Sequence, residues 1–223
     1  MRFKRRNDEP ADAGAATDPE DVEDGQVEEP GTGAAASAPG PRDISEDPHF
    51  GDAENVVDLG SLLIPMREGL DLRLQVDESN GLVLAALVLS EEGMLELRAF
   101  AAPRNGDLWA DVRREIAADT SQRGGTASER EGALGPELYC EVQVQMDDGS
   151  TGVQPSRILG WNGPRWFLRG ALLGAPAMQP DAAGPWEELF SQIVVRRGEI
   201  AMPPGDALPL QLPPEAIRLD APE

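Results

Sequence analysis

Apolar and polar positions alternate without a break over residues 70–76 (Leu-Asp-Leu-Arg-Leu-Gln-Val), which predicts a half-buried strand. Residues 81–89 (Gly-Leu-Val-Leu-Ala-Ala-Leu-Val-Leu) are apolar on both faces, so a central strand is expected there. Ser90, Glu91, Glu92 and Gly93 make a turn, and residues 94–101 return as the next strand. Residues 59–65 form a further strand or the approach to one. Asp107 is a good N-cap, and Leu108, Trp109, Val112 and Ile116 recur at helical spacing behind it. Residues 122–136 read as a long loop. Residues 138–146 alternate again, and the Asp147-Asp148-Gly149 turn closes that strand.

The strongest local signal lies in residues 157–173. Two apolar runs flank Asn162-Gly163, a pair that tolerates the positive φ of a two-residue hairpin turn. With the turn there, Leu159, Trp161, Trp166 and Leu168 share one face of the ribbon. Ile158, Arg165, Phe167 and Arg169 share the other. A helix over residues 186–195 follows, with Trp186, Leu189, Phe190 and Ile193 as its apolar stripe.

The order is therefore four strands, helix, three strands, helix. This predicts an α+β fold, an antiparallel sheet of about six to seven strands packed with two amphipathic helices. The halves echo one another: Leu97-Arg98 parallels Leu168-Arg169, and Trp109, Val112 and Ile116 parallel Trp186, Leu189 and Ile193. Two edge strands are left over, so homodimerisation by strand pairing is open.

Composition divides the 223 residues. Residues 1–52 hold almost no large apolar side chains and carry 14 acids against 5 bases, a net of −9 from a chain total of −22. They are expected to be a disordered acidic tail, with the α+β domain over 53–197. Residues 198–223 hold six prolines and are expected to lie extended, with 208–212 as a clasp on the domain surface. The net charge argues against nucleic acid and against an anionic membrane as partners. No run of about 20 apolar residues is present, and no apolar stretch follows the basic start; a cytoplasmic protein is expected.

Little chemistry is available. The single cysteine, Cys140, sits in a strand pattern and reads as a small buried hydrophobe. The single histidine, His49, lies in the expected tail, where no scaffold holds a catalytic base. Asp111, Glu115 and Asp119 are spaced by four on the first helix and read as its solvated face. Asp147-Asp148-Gly149-Ser150 lacks the spacing of a calcium loop, and Gly124-Gly125-Thr126 lacks the lysine of a phosphate loop. No cofactor, no metal site and no enzymatic activity are expected. One constellation remains: Arg98, Trp161, Arg165, Trp166 and Arg169 gather on the central strands, and Arg and Trp dominate binding hot spots. The competing reading places the tryptophans in the core and pairs the arginines with nearby acids.

Ile64-Pro-Met-Arg-Glu-Gly-Leu70, Asn105-Gly-Asp-Leu-Trp109, Gly163-Pro-Arg-Trp-Phe-Leu-Arg-Gly170 and Leu208-Pro-Leu-Gln-Leu-Pro213 carry a resemblance. Over residues 62–213 the chain resembles an uncharacterised actinobacterial family, a domain of unknown function. The strand and helix order is similar to the Mog1/PsbP-like sandwich, with Ile64-Pro65, Gly69 and the closing helix in corresponding places. That likeness implies a binding or assembly factor, and no activity comes with it. A protein partner is the expectation, with a small anionic ligand at the Arg/Trp cluster as the alternative.

Overall fold

The computed structural model describes residues 40–145 and 149–213. Asp147 and Asp148 of the expected turn and most of residues 1–52 fall outside them. In order, the elements are β1 (Arg42–Asp43), two short 3-10 turns, β2 (Val56–Asp58), β3 (Leu62–Pro65), β4 (Asp71–Val76), β5 (Val83–Leu89), β6 (Gly93–Ala101) and α1 (Leu108–Gln122). Then come β7 (Thr126–Gly132), β8 (Gly135–Gln145), β9 (Thr151–Gly163), β10 (Trp166–Gly174), α2 (Ala175–Met178), α3 (Pro180–Ser191) and β11 (Val194–Val195).

The main sheet is seven-stranded and antiparallel, in the order β4-β5-β6-β10-β9-β8-β7. Alternation along its strands sends side chains to two separate cores. One face carries Ala86, Val88, Leu95, Leu97, Leu159, Trp166, Leu168 and Leu172 against Trp186, Leu189 and Phe190 of α3 and the following Ile193. The other carries Leu138, Cys140, Ile158, Phe167 and Ala171 against Trp109, Val112 and Ile116 of α1. Two glycines seat the helices. A Cβ on Gly160 would run into the Trp109 ring, and one on Gly170 would come within 2.8 Å of Phe190. Side-chain-free backbone at these points lets each bulky ring approach the sheet closely.

The halves join edge to edge through β6 and β10, where Arg98 stands opposite Arg169. A two-fold axis exchanging these antiparallel strands is normal to the sheet and keeps each helix on its own face. Because α1 and α3 pack on opposite faces, the echo between the halves does not extend to the helices.

Four sequence expectations change. The hairpin turn is Pro164-Arg165, since Gly163 pairs with Trp166 and Arg165 takes φ +62°. Pro suits the first central position of such a turn. Asn162 is needed elsewhere: it donates to the Asp107 carboxylate at 2.8 Å and accepts from Trp109 N at 3.2 Å, tying α1's first turn to β9. The shift is an even number of residues, so the expected faces survive. The loop at 122–136 contains β7, an edge strand of Thr, Ser, Glu and Arg that lacks an apolar alternation to betray it. The helix expected over 186–195 begins at Pro180 and stops at Ser191. Val194 and Val195 instead pair with Leu63 and Leu62, and on the other side with Arg42 and Asp43. Finally, the chain is already folded at Gly40, inside the expected tail. Arg42 N donates to Ile193 O at 3.0 Å, and Asp43 accepts from the Trp166 indole at 2.7 Å.

The C-terminal clasp is a wedge. β5 and β6 pair from Leu89/Met94 to Ala86/Leu97 and then part. Ala207 takes the place opposite Phe100, and Leu210 the place opposite Val83. Backbone hydrogen bonds from Gly205 to Ala101 O and from Leu208 to Ala99 O fix the wedge, and Leu208 is buried in the α3-side core.

Candidate functional site

Arg98 and Arg169 are direct cross-strand partners, with Glu96 one step along the same face. Glu96 Oε1 accepts from Arg98 Nε at 2.7 Å and from Arg169 Nη2 at 3.1 Å, and Arg98 also donates to Gln75 at 3.2 Å. Arg169 lies 5.8 Å from the Phe100 ring centroid, within cation–π range. Burial pulls the Arg169 pKa below the ordinary guanidinium value; Glu96 opposes that pull and the neighbouring Arg98 reinforces it. Two guanidiniums thus share one carboxylate on a half-buried surface.

The other three candidates lie elsewhere. Trp166 is fully buried on the α3 side of the sheet. Trp161 is on that side too, half-buried beside Gly40. Arg165 is exposed in the hairpin turn. The sheet therefore brings Arg98 and Arg169 together and separates both from the tryptophans.

The carboxylates of α1 are engaged locally or solvated: Asp111 pairs with Arg114, Asp119 pairs with Arg123 at 3.0 Å, and Glu115 is exposed. Among the described residues no group of three His, Cys, Asp or Glu side chains is placed to hold a metal. No helix among them is long and apolar enough to cross a membrane. Cys140 is buried, its thiol pKa raised by desolvation, and it accepts from the Thr120 hydroxyl at 3.8 Å. His49 stands exposed beside Asp52 at 3.1 Å.

Two arrangements escaped the sequence reading. The first is a buried ion triad. Arg157 donates to Glu137 at 3.0 and 2.6 Å, to Glu187 of α3, and to the Pro176 carbonyl at 3.3 Å. Its signal was an arginine in phase with Leu159 and Trp161, on the core side of β9. The second is a cavity of about 460 Å³ at the end of the sheet, lined by Arg67, Glu68, Leu70, Glu91, Trp186 and Leu189 among others. Its walls come from the β3–β4 turn, the β5–β6 turn and α3, three stretches far apart in the chain, so no local pattern announces it.

Comparison with known proteins adds a family and a distant fold likeness. The chain is similar to the solution structure of cyanobacterial PsbP (CyanoP) from Synechocystis sp. PCC 6803, at 13% identity over 63% of this chain and 91% of that one, with a TM-score of 0.37. No curated protein matches it. Residues 40–218, from the first described residue through the clasp, match the family described as "Protein of unknown function (DUF3710)". The chain belongs to that family.

Proposed function

We propose that the protein is a non-catalytic interaction or assembly module of the cytoplasm, and that a partner protein docks on the half of the main sheet that α1 leaves bare. α1 packs on β7, β8 and β9. On the same face, β4, β5 and β6 carry no helix, and Leu87, Leu89 and Met94 stand there half-buried. This uncovered half-face is the observation that carries the reading. A module that ends its core in partly exposed leucines gains by covering them.

The charge of the patch points to the partner's chemistry. Arg73, Arg98 and Arg169 stand against Asp71 and Glu96, one guanidinium in surplus on a chain of net charge −22. An acidic segment with apolar side chains suits it better than a basic one. The alternative of a small anion held between arginine and tryptophan loses its aromatic half, because Trp161 and Trp166 sit on the other side of the sheet.

The test is site-specific photo-crosslinking in the native host, with the reactive group at position 87 or, as a control, at position 128 on exposed β7. Crosslinks from position 87 alone, mapping to an acidic segment of one partner and lost on Arg73→Glu, are expected. Absence of any protein crosslink from position 87, or one unchanged by Arg73→Glu, would sink the reading.

A further inference from the structure

We infer that the chain forms a two-fold dimer by pairing the outer edge of β4 with the same strand of a second copy. Among the described residues β4 pairs only with β5, so one side of its backbone offers free donors and acceptors. Its core-side leucines are incompletely covered as well. Leu70, Leu72 and Leu74 pack against the α3-side core yet stay half-buried, because the sheet ends there. A further strand beside them would complete their cover. This contact lies at the sheet edge and does not depend on a partner covering the bare half-face.

Symmetry selects the register. Residues directly opposite in an antiparallel ladder point to the same face, and a two-fold contact uses the same patch on both copies. Paired residue numbers must therefore sum to an even value. Asp71 and Arg73 share a face, so they can meet. The register that sets Asp71 opposite Arg73 does so twice, once on each side of the axis. It also sets Leu72 opposite Leu72 and Leu70 opposite Leu74, which closes the leucine row. The next register sets Arg73 on itself, and the one after it sets Asp71 on Asp77; like charges so placed repel. Within one chain Arg73 Nε reaches Asp71 at 3.1 Å, and both side chains are more than half exposed, within reach of a second copy. The other edges lack this fit. β7 carries Glu129 and Glu131 on one face and Arg130 on the other, so no symmetric register pairs acid with base. β1 and β2 are only two and three residues long. Because the axis is normal to the sheet, the two seven-stranded sheets run on as one and the bare half-faces adjoin on the same side.

The test is sedimentation equilibrium of the purified full chain at about 0.15 M salt. There a Debye length of about 8 Å mutes the long-range repulsion between two chains of net charge −22. A concentration-dependent shift from 23.9 kDa to twice that mass is expected. Asp71→Arg alone and Arg73→Asp alone should each weaken the dimer at least about tenfold, because two facing pairs turn repulsive. An equimolar mixture of the two variants should recover it, since one strand then carries two basic side chains and the other two acidic ones. The double variant Asp71→Arg/Arg73→Asp should dimerise like the unaltered chain. A cooperative melting curve shows that each single variant is folded, and recovery in the mixture cannot come from misfolded chains. A chain that stays monomeric at every concentration, single variants that dimerise as tightly as the unaltered chain, or a mixture that stays monomeric would each overturn the inference.

Discussion

Arg98 and Arg169 face one another across β6 and β10 and hold the same oxygen of Glu96. Like charges directly opposite in a sheet repel. Here the carboxylate between them and the Phe100 ring beneath Arg169 offset the repulsion, so the pair persists on a half-buried surface.

Removing that carboxylate exposes the conflict. Glu96→Gln should cost about 2 kcal/mol, since both hydrogen bonds lose their anionic acceptor and two guanidiniums face each other without a charge between them. Adding Arg98→Gln should recover part of the loss by removing one of the two charges. Urea midpoints of the single and double variants check both; an additive double variant would show that Glu96 does not mediate between the arginines.

The Arg157 triad should be far less forgiving. Arg157→Met leaves Glu137 and Glu187 buried without their cation, at a cost of about 3–5 kcal/mol. Arg157→Met/Glu137→Gln/Glu187→Gln should regain much of that. Burial alone would lower the Arg157 pKa, but the hydrogen bonds and charges of the two glutamates outweigh it and the net shift is upward. A raised folded-state pKa means stability is fully present below the unfolded value and lost only as pH climbs through the folded one. The Arg157 contribution should therefore stay flat between about pH 5 and 9, as chemical denaturation across that range would show.

Much of this was legible because burial on one face writes itself into alternation. β4 and β8 were readable for that reason, β5 from a run apolar on both faces, β6 as its return after a turn, β9 and β10 from apolar runs around Asn162-Gly163, and α1 from Asp107 and its apolar stripe. The same alternation had already put Trp161 and Trp166 on one face and Arg169 on the other, so proximity along the ribbon alone suggested a mixed Arg/Trp site. β7 was hidden because an edge strand needs no apolar side. β1 was hidden because two residues pair through backbone alone, with Asp43 anchored by a tryptophan 123 positions away. The cavity was hidden because Arg67, Glu91 and Trp186 meet only in three dimensions.

Glu188 offers a local check on the helix that walls the cavity. The hydrogen bonds from Arg67, then its charge, hold the Glu188 carboxyl below its ordinary value of 4.5. A depressed carboxylate stabilises the fold above its unfolded pKa, and that stability disappears as pH falls through the folded value. Arg67→Met should move the Glu188 titration back up towards 4.5. Carboxyl-carbon NMR against pH reads this directly, and an unmoved titration would mean the pair does not form in solution.

The C-terminal wedge is the last element whose weight can be measured. Leu208 fills the α3-side core from a segment rich in proline, held by backbone hydrogen bonds to β6 and by the Ser61 hydroxyl donating to Pro209 O at 2.8 Å. Leu208→Ala opens a cavity under β6 and should cost about 2–4 kcal/mol. Leu212→Ala, a few residues on at an exposed position, should cost under about 0.5 kcal/mol. If the two variants melt alike, the clasp is laid on the surface and is not part of the core. If Leu208→Ala alone falls, the fold is completed only when the chain returns to fill the gap between β5 and β6. In that case hydrogen exchange at the amides of Ala101 and of residue 208 should quicken together in the variant, because the first donates to Asp206 O and the second to Ala99 O.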